Sequence, residues 1–375
     1  MSRNLLYVVT EDWFFRSHFV PMAEAARAAG FKIWIACRWG EARADLESRG
    51  FRLLPLDGDR KKVSLGSALA EFAAIRRAIR DHDMDIVHFI ALRPILIGFA
   101  LALTEWRHRS VYALTGRGWL GISPKWPARL LRAALKATIP LLFAGRRSWF
   151  LFENRDDPAF FGLDLTRNAN ISILGGAGVD AGQWKPLPLP PLDRLRCAFV
   201  GRMLRSKGVE DAVEAIRIAR AAGVPVELSL FGDPDPQNPA SLTRAQLESW
   251  TGADGAAWRG RTRDIAGVWT SHHLCLQPSL AAEGLPRSML EAAASGRGFI
   301  TTDTPGCREF VRNGVEGRVV APERPDEIAA AIAQVWSDPS QLETWGENAR
   351  RRVLDGFTVE AVTSDVLLAY NSLLR

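Results

Sequence analysis

A strand, a loop and a helix are indicated by Ser279-Leu-Ala-Ala-Glu-Gly-Leu-Pro-Arg-Ser-Met-Leu-Glu-Ala-Ala-Ala-Ser-Gly296 and by the apolar run before it, residues 273–277. Pro286 predicts the first turn of the helix, because the N–H that proline lacks would have no partner there. Gly284 lets a ligand approach the backbone, and the N–H groups at a helix start favour an anion. The stretch therefore predicts an anion-binding loop between a strand and a helix.

Two glutamates, Glu283 and Glu291, lie before and within this predicted helix. Eight residues at a rise of about 1.5 Å each place their carboxylates at most ~12 Å apart, roughly the length of a nucleoside. The stretch alone is equally compatible with a capped amphipathic helix that carries one solvated glutamate.

Length and composition indicate a two-domain α/β protein. The chain has 375 residues, of which 47% are hydrophobic and 24% charged, enough for two separate cores. It begins directly with a strand-like run and contains no long uncharged apolar segment, so we expect neither a secretory signal nor a membrane-spanning helix. Four scattered cysteines without a C-x-x-C spacing are typical of the reduced cytoplasm.

Positive charge is concentrated in the first half of the chain. Residues 1–190 contain 27 Lys and Arg against 18 Asp and Glu, whereas residues 191–375 contain 21 against 24. This asymmetry predicts a phosphate-bearing partner or a negative membrane surface for the first half.

Strand-like and helical segments alternate along the whole chain, which predicts parallel, doubly wound sheets. Residues 184–194 contain four prolines and predict an extended connector. We therefore expect two Rossmann-like domains, at 1–185 and 186–356, followed by a terminal helix at 357–375. The two domains should face each other across a cleft, with ligands at the carboxyl ends of the strands.

A second informative stretch is Phe199-Val-Gly-Arg-Met-Leu-Arg-Ser-Lys-Gly208. Strand, Gly201, loop, Gly208 and helix follow each other as in a phosphate-binding turn. Arg202 supplies a planar fork and Lys207 a point charge, and the two could converge on a diphosphate. Two solvated cations on a surface loop are the alternative for this stretch alone.

Further short motifs occur in a fixed order: Phe14–His18, Asp85–His88, Leu114–Gly118, Phe152–Asp157, Gly176–Asp180, Glu283–Pro286, Glu291–Gly296 and Thr302–Glu309. Together with the Arg202–Lys207 loop, they resemble the retaining GT4 glycosyltransferases, which have the two-domain GT-B fold. Within that family, the sequence is most similar to bacterial enzymes that add sugars to lipid-linked oligosaccharides and surface polysaccharides.

The resemblance implies that the domain at 1–185 binds the acceptor, that the domain at 186–356 binds the nucleotide sugar, and that the helix at 357–375 packs back on the first domain. It also implies a role for each donor-site residue. Arg202 and Lys207 would hold the donor diphosphate beside Gly201, Glu283 would contact the sugar hydroxyls and Glu291 the ribose. The backbone of Gly284, Leu285 and Pro286 would contribute to phosphate binding. Fixed cations stabilise the negative charge on the departing nucleotide, so Glu283, Arg202 and Lys207 are the expected catalytic residues, without a metal ion. Asp-x-Asp patterns at 81–85 and 233–235 are the alternative metal ligands.

Acceptor-binding candidates are His18, His88, Thr115 and Gly116. We expect His88 to face the cleft from a strand end. Many relatives carry a histidine at the position of Thr115, so an acid–base role cannot be transferred to it. Residues 11–15, of which Trp13, Phe14 and Phe15 are aromatic, predict a bulky loop that shapes the acceptor site.

Residues 117–149 combine three tryptophans with several cations. The predicted helix at 126–142 has apolar residues on one side and cations on another, typical of an element lying on anionic lipid or binding a lipid diphosphate. A helix that packs on its own sheet is the alternative. No nucleic-acid-binding motif is found.

The sequence thus predicts a cytoplasmic enzyme, peripherally associated with the inner face of the plasma membrane. It would move a sugar, an N-acetylhexosamine or a hexose, from a UDP-sugar to a polyprenyl-diphosphate-linked acceptor. A nucleotide-sugar 2-epimerase of similar fold and an inactive sugar-nucleotide-binding subunit are the alternatives.

Overall fold

The computed structural model describes residues 3–56, 65–105, 108–117, 120–121, 123, 125–142, 145, 147–252, 255–281 and 283–375. Of the patterns above, Ala282 in the opening stretch and residues 118, 119, 122, 124, 143, 144 and 146 of the segment 117–149 lie outside the described residues. The chain divides into two compact units, the first formed by Met1–Gly178 with Val359–Arg375 and the second by Val179–Thr358.

The proline-rich residues 184–194 belong to the second unit, although a domain boundary is expected within them. Arg297 gives the physical reason, because its fully buried guanidinium donates hydrogen bonds to the carbonyls of Leu187 and Pro188 at 2.9 and 2.8 Å. These hydrogen bonds hold the extended, proline-rich stretch to the second unit.

The first unit contains a seven-stranded sheet in which every pairing is parallel. Its strands are β1 (Arg3–Glu11), β2 (Phe31–Arg38), β3 (Arg52–Pro55), β4 (Ile86–Ile90), β5 (Arg109–Leu114), β6 (Ser148–Phe152) and β7 (Ile171–Ile173). Their order across the sheet is β3-β2-β1-β4-β5-β6-β7. The order reverses between β1 and β4, as in a doubly wound fold.

The described helices of the first half connect these strands. They are α1 (Asp12–His18), α2 (Val20–Ala28), α3 (Arg43–Ser48), α4 (Leu65–Asp81), α5 (Leu92–Ala102) and α6 (Trp126–Leu142), with a 3₁₀ helix at Pro158–Phe161. Strand β1 shows why helices cover both faces: Leu5 and Tyr7 enter one buried cluster, and Leu6 and Val8 enter another. A parallel strand buried on both faces is a continuous apolar run.

The second unit contains a six-stranded parallel sheet in the order β10-β9-β8-β11-β12-β13. Its strands are β8 (Leu195–Val200), β9 (Val226–Phe231), β10 (Ala256–Gly260), β11 (Leu274–Gln277), β12 (Gly298–Thr302) and β13 (Gly317–Val320). Its helices are α7 (Val209–Ala221), α8 (Arg244–Trp250), α9 (Ile265–Ser271), α10 (Arg287–Ala294), α11 (Pro305–Phe310), α12 (Pro325–Ser337) and α13 (Ser340–Leu354). The predicted pair of doubly wound α/β units is thus confirmed.

The last helix, α14 (Val359–Leu373), belongs to the first unit. It buries Val362, Val366, Ala369 and Tyr370, whose offsets of four, seven and eight residues from Val362 place them on one face. In the ranges that the structure describes, no helix combines the length and apolarity needed to cross a bilayer.

The structure differs from the sequence-based expectation at three elements. The loop expected at 11–15 is largely helical, since helix α1 spans residues 12–18. The buried carboxylate of Asp12 accepts the N–H of Trp13 at the helix start and also the N–H groups of Gly40 and Ala42. Helix α9 and strand β13 were not predicted. Both are short, seven and four residues, so they give little hydrophobic periodicity.

Candidate active site

Two loops of the second unit meet where the order of its strands reverses. Strands β8 and β11 are neighbours there, with Cys197 opposite Leu274. Their carboxyl ends lead into residues 201–208 and 278–286 respectively. Ligands of open α/β sheets bind outside the carboxyl ends at such a reversal, so the topology points to the two stretches that the sequence singled out.

The two loops are in direct contact. The N–H of Leu280 donates a hydrogen bond to the carbonyl of Ser206 at 2.9 Å. Gly208 has a φ of +68°, and a Cβ on it would lie 1.8 Å from the carbonyl oxygen of Pro278. Both the conformation and the close approach therefore require glycine at position 208.

Lys207 and Glu283 join the loops electrostatically. The ammonium Nζ lies 2.5 Å from Oε2 of Glu283, and the two side chains are only 14% and 27% exposed. The other carboxylate oxygen accepts a hydrogen bond from the Ser279 hydroxyl, which in turn accepts one from Nε2 of Gln277 at 3.1 Å. One oxygen of Glu283 is thus oriented by Ser279 of its own loop and the other by Lys207 of the loop after β8. Sequence reasoning missed Ser279 as a partner.

Helix α11 supports this loop from the next βα unit. A Cβ on Gly306 would lie 2.2 Å from the carbonyl oxygen of Gly284 and 2.7 Å from that of Glu283. The hydroxyl of Thr302 also donates to the carbonyl of Ser279. Close backbone packing therefore holds the loop that carries Glu283, and Gly306 is a second glycine that packing requires.

The helix after the loop is α10, for which Pro286 is the N-cap residue. Glu291 lies inside it, nearly buried, and pairs with Nε of Arg287 at 2.9 Å. Burial raises the pKa of Glu291, and the nearby Arg287 guanidinium opposes that rise. A nearly buried carboxylate in contact with one cation is suited to accept hydrogen bonds from ligand hydroxyls.

Arg202 has a different partner from the one expected. Its Nη1 lies 3.0 Å from Oδ2 of Asp235, which is mostly buried. The sequence suggested Asp233 and Asp235 as possible metal ligands, but Asp235 holds this cation instead. Across the described part of the chain, no three His, Cys, Asp or Glu side chains come together as a metal site.

His18 and Thr115 line one small cavity in the first unit, together with Glu153, Gly176 and Ala177. The cavity lies at the carboxyl ends of β5 and β6 and measures about 10 Å³, room for about one water molecule. The predicted acceptor residues His18 and Thr115 are therefore brought together, although they are 97 positions apart in the sequence. Gly116 follows Thr115 with a φ of +135°.

His88 does not face a cleft, which corrects the sequence-based placement. Its side chain is fully buried, and Nδ1 lies 2.7 Å from the hydroxyl of Tyr370 on α14. Side chains on β4 alternate between the two faces of the sheet, and position 88 lies on the face that α14 covers. Desolvation lowers the pKa of His88 to about 3, so the ring is neutral.

Part of the basic aromatic segment at 117–149 is structural. Arg132 donates hydrogen bonds to the carbonyls of Leu120 and Ser123 at 2.6 and 2.9 Å. The indole N–H of Trp149 donates to Ser172 at 3.0 Å. These two residues therefore fix α6 and β6 to their surroundings.

Two family models match the chain, "Glycosyl transferase 4-like" over residues 4–143 and "Glycosyl transferases group 1" over residues 194–338. The N,N'-diacetylbacillosaminyl-diphospho-undecaprenol alpha-1,3-N-acetylgalactosaminyltransferase of Campylobacter jejuni is 21% identical over 352 residues, 90% of each chain. The capsular polysaccharide glycosyltransferase CapM of Staphylococcus aureus is 25% identical over 183 residues, so the match spans 49% of this chain and 47% of CapM.

Solved structures are similar over the whole length. A glycosyltransferase from Rickettsia africae superposes with a TM-score of 0.79 at 16% identity, covering 100% of this chain and 99% of its own. Anabaena HepE in complex with UDP-glucose superposes with a TM-score of 0.73 at 16% identity, covering 98% of this chain and 99% of HepE. One family model matches most of the first unit and the other most of the second, and the two parallel sheets are those of the solved glycosyltransferase structures. The chain therefore belongs to the group 1 glycosyltransferases, the GT4 family of retaining, nucleotide-sugar-dependent enzymes with the GT-B fold.

Proposed function

We propose that this protein moves a sugar, an N-acetylhexosamine or a hexose, from a UDP-sugar to a polyprenyl-diphosphate-linked acceptor. The reaction retains the anomeric configuration, and the enzyme works in the cytoplasm, peripherally associated with the inner face of the plasma membrane. The observation that carries the proposal is the Lys207–Glu283 pair at the reversal of strand order in the second unit. It combines a cation for a phosphate with a carboxylate for sugar hydroxyls.

Donor binding exchanges the partners of this pair. The diphosphate takes the ammonium of Lys207, and the sugar hydroxyls donate to the carboxylate of Glu283, which is already oriented by Ser279. Lys207 is mostly shielded from water, where an electrostatic interaction is stronger than at the surface. Each charge thus finds a ligand group in place of the other, and neither is left unpaired.

The same groups accelerate the reaction. As the bond between sugar and phosphate breaks, negative charge grows on the phosphate, and fixed cations stabilise that state more than the ground state. Lys207 and Arg202 can supply this charge, so we propose that the enzyme needs no metal ion. The leaving phosphate oxygen accepts the proton of the acceptor hydroxyl, which attacks from the same face and thereby retains the configuration.

Two comparisons support the choice of substrates. The name of the Campylobacter relative gives it a diphospho-undecaprenol-linked acceptor and N-acetylgalactosamine, an N-acetylhexosamine, as the transferred sugar, and the Anabaena structure contains UDP-glucose. The excess of Lys and Arg in residues 1–190 supports a diphosphate acceptor in an anionic membrane.

The test measures UDP release by the purified protein with a UDP-sugar and a synthetic polyprenyl-diphosphate glycan, with and without a metal chelator. We expect UDP release that needs the acceptor and persists in the chelator, with a lengthened lipid-linked glycan. Formation of a C2 epimer without acceptor would identify an epimerase. UDP binding without turnover for any UDP-sugar and acceptor would identify an inactive subunit.

A further inference from the structure

Helix α6 is apolar on two opposite faces. Ala128, Leu135 and Ile139 are buried, and their spacings of seven and four residues place them on one face. The helix therefore packs on its own unit in the ordinary way, which agrees with the packing alternative considered above. That packing does not account for the opposite face of the helix, which is also apolar.

The opposite face carries no polar side chain. At about 100° per residue, it contains Trp126, Leu130, Ala133, Ala134, Ala137 and Leu141. All six are exposed, and the three large ones strongly so: Trp126 is 75%, Leu130 63% and Leu141 84% exposed. A continuous exposed apolar face on one helix indicates a surface that meets a partner or a membrane.

Cations flank this face. Arg129 and Lys136 are both exposed and lie at the same edge of the apolar face, seven residues apart. In the sequence, residues 106–152 contain nine Lys and Arg and no Asp or Glu. The partner should therefore be apolar in its interior and negatively charged at its surface, a combination that an anionic phospholipid layer provides.

We propose that the outer face of α6 inserts into the anionic inner leaflet of the membrane, with its axis parallel to the surface. Trp126, Leu130 and Leu141 enter the boundary between headgroups and acyl chains, and Arg129 and Lys136 bind lipid phosphates. This inference deepens the membrane part of the proposed function and rests on it. It is tested without donor or acceptor, so its failure is separate from a failure of sugar transfer.

The first test measures sedimentation of the full-length protein with vesicles of phosphatidylcholine alone or mixed with phosphatidylglycerol. We expect binding only to the anionic mixture. The variant L130Q/L141Q should lower the partition coefficient at least about tenfold, since burial of each leucine contributes. R129Q/K136Q should lower the partition coefficient about 30-fold. High salt should lower the binding of the wild type in the same way, because it screens the attraction between the cations and the lipid phosphates.

Leu368 provides a matched control, because it is 55% exposed on α14 of the same unit. L368Q should bind vesicles as the wild type does. Equal loss in L368Q and L130Q/L141Q, or equal binding of all variants, would overturn the proposal. A second copy of the chain is the competing occupant: a dimer in light scattering that L130Q/L141Q dissociates, with vesicle binding unchanged, would overturn it too.

The second test locates the contact. All four native cysteines are buried, so a single exposed cysteine can be labelled selectively with an environment-sensitive fluorophore. The label on L130C should shift to the blue on anionic vesicles, whereas the label on L368C should not. Vesicle binding without a shift at position 130 would show that another surface makes the contact. Circular dichroism of each variant checks that the fold is retained.

Discussion

The ammonium of Lys207 lies 2.5 Å from the carboxylate of Glu283, although 76 positions separate the two residues in the sequence. Two adjacent parallel strands bring their loops together, and a glycine on each side of the pair, Gly208 and Gly306, lets the backbones approach. Because the pair is mostly shielded from water, removal of one partner leaves a partly buried charge unpaired. The affinity for UDP should therefore respond in opposite ways to mutation of the two residues.

Glu283→Gln should lower kcat by about 10²–10³ while the affinity for UDP stays the same or rises. The amide cannot hold the sugar hydroxyls as a carboxylate does, but Lys207 loses its competing partner and stays available for phosphate. Steady-state kinetics give kcat, and calorimetric titration with UDP gives the dissociation constant. Glu347→Gln, at an exposed position of α13, is the control. Wild-type turnover in Glu283→Gln would remove this carboxylate from the site.

Lys207→Met should weaken UDP binding and lower the rate, together by about 3–4 kcal/mol of transition-state stabilisation. The methionine keeps the length of the side chain but removes the charge, so the diphosphate loses its cation and Glu283 repels it. UDP titration and kcat/KM measure the loss. Lys185→Met, at an exposed position of the same unit, should change neither. Unaltered UDP affinity in Lys207→Met would mean that the diphosphate binds elsewhere.

Asp235→Asn should tighten UDP binding by up to about fivefold, the range expected for release from one partly exposed ion pair. In the structure, Arg202 is held by Asp235 at 3.0 Å, so the diphosphate has to compete with this carboxylate for the guanidinium. The double variant Arg202→Gln/Asp235→Asn should show no gain. Weaker UDP binding in Asp235→Asn would mean instead that Asp235 positions Arg202 for the ligand.

Sequence reasoning located the elements of the fold because parallel strands and amphipathic helices carry strong local patterns. The helix predicted at 126–142, for example, coincides with α6. Helix α1 was missed because its start depends on Asp12, whose carboxylate binds backbone groups about 28 residues away. A contact of that kind leaves no periodic signal in the sequence.

The candidate site was predictable where loops follow strand ends, as for Lys207 and Glu283. Partners supplied by other loops were not, which is why Asp235 was interpreted as a possible metal ligand and Ser279 was overlooked. His88 shows the same limit. Its place on a strand is local information, but the face towards which it points depends on α14, 282 positions later.

The environment of His88 predicts how the first unit responds to acid. Nδ1 contacts the hydroxyl of Tyr370, which donates to the hydroxyl of Tyr7 at 2.9 Å, and Nε2 is buried without a hydrogen-bond partner among the described residues. Nearby aromatic rings of Tyr7 and Phe19 complete the surroundings. A proton on this ring would thus be unsolvated, which is why burial lowers the pKa of His88 to about 3.

We therefore expect His88 to destabilise the folded state progressively as the pH falls from about 6.5, the ordinary histidine value, towards 3. Over that window the unfolded chain binds a proton that the folded chain does not, which costs up to about 1.4 kcal/mol per pH unit; above it the contribution is constant. Chemical unfolding followed across this range for wild type and His88→Gln measures the difference, because carboxylates titrate in both proteins and cancel. The glutamine variant should be less stable at neutral pH and lose stability less steeply in acid. If the free energy of unfolding fell with pH equally in the two proteins, His88 would not be held neutral by burial.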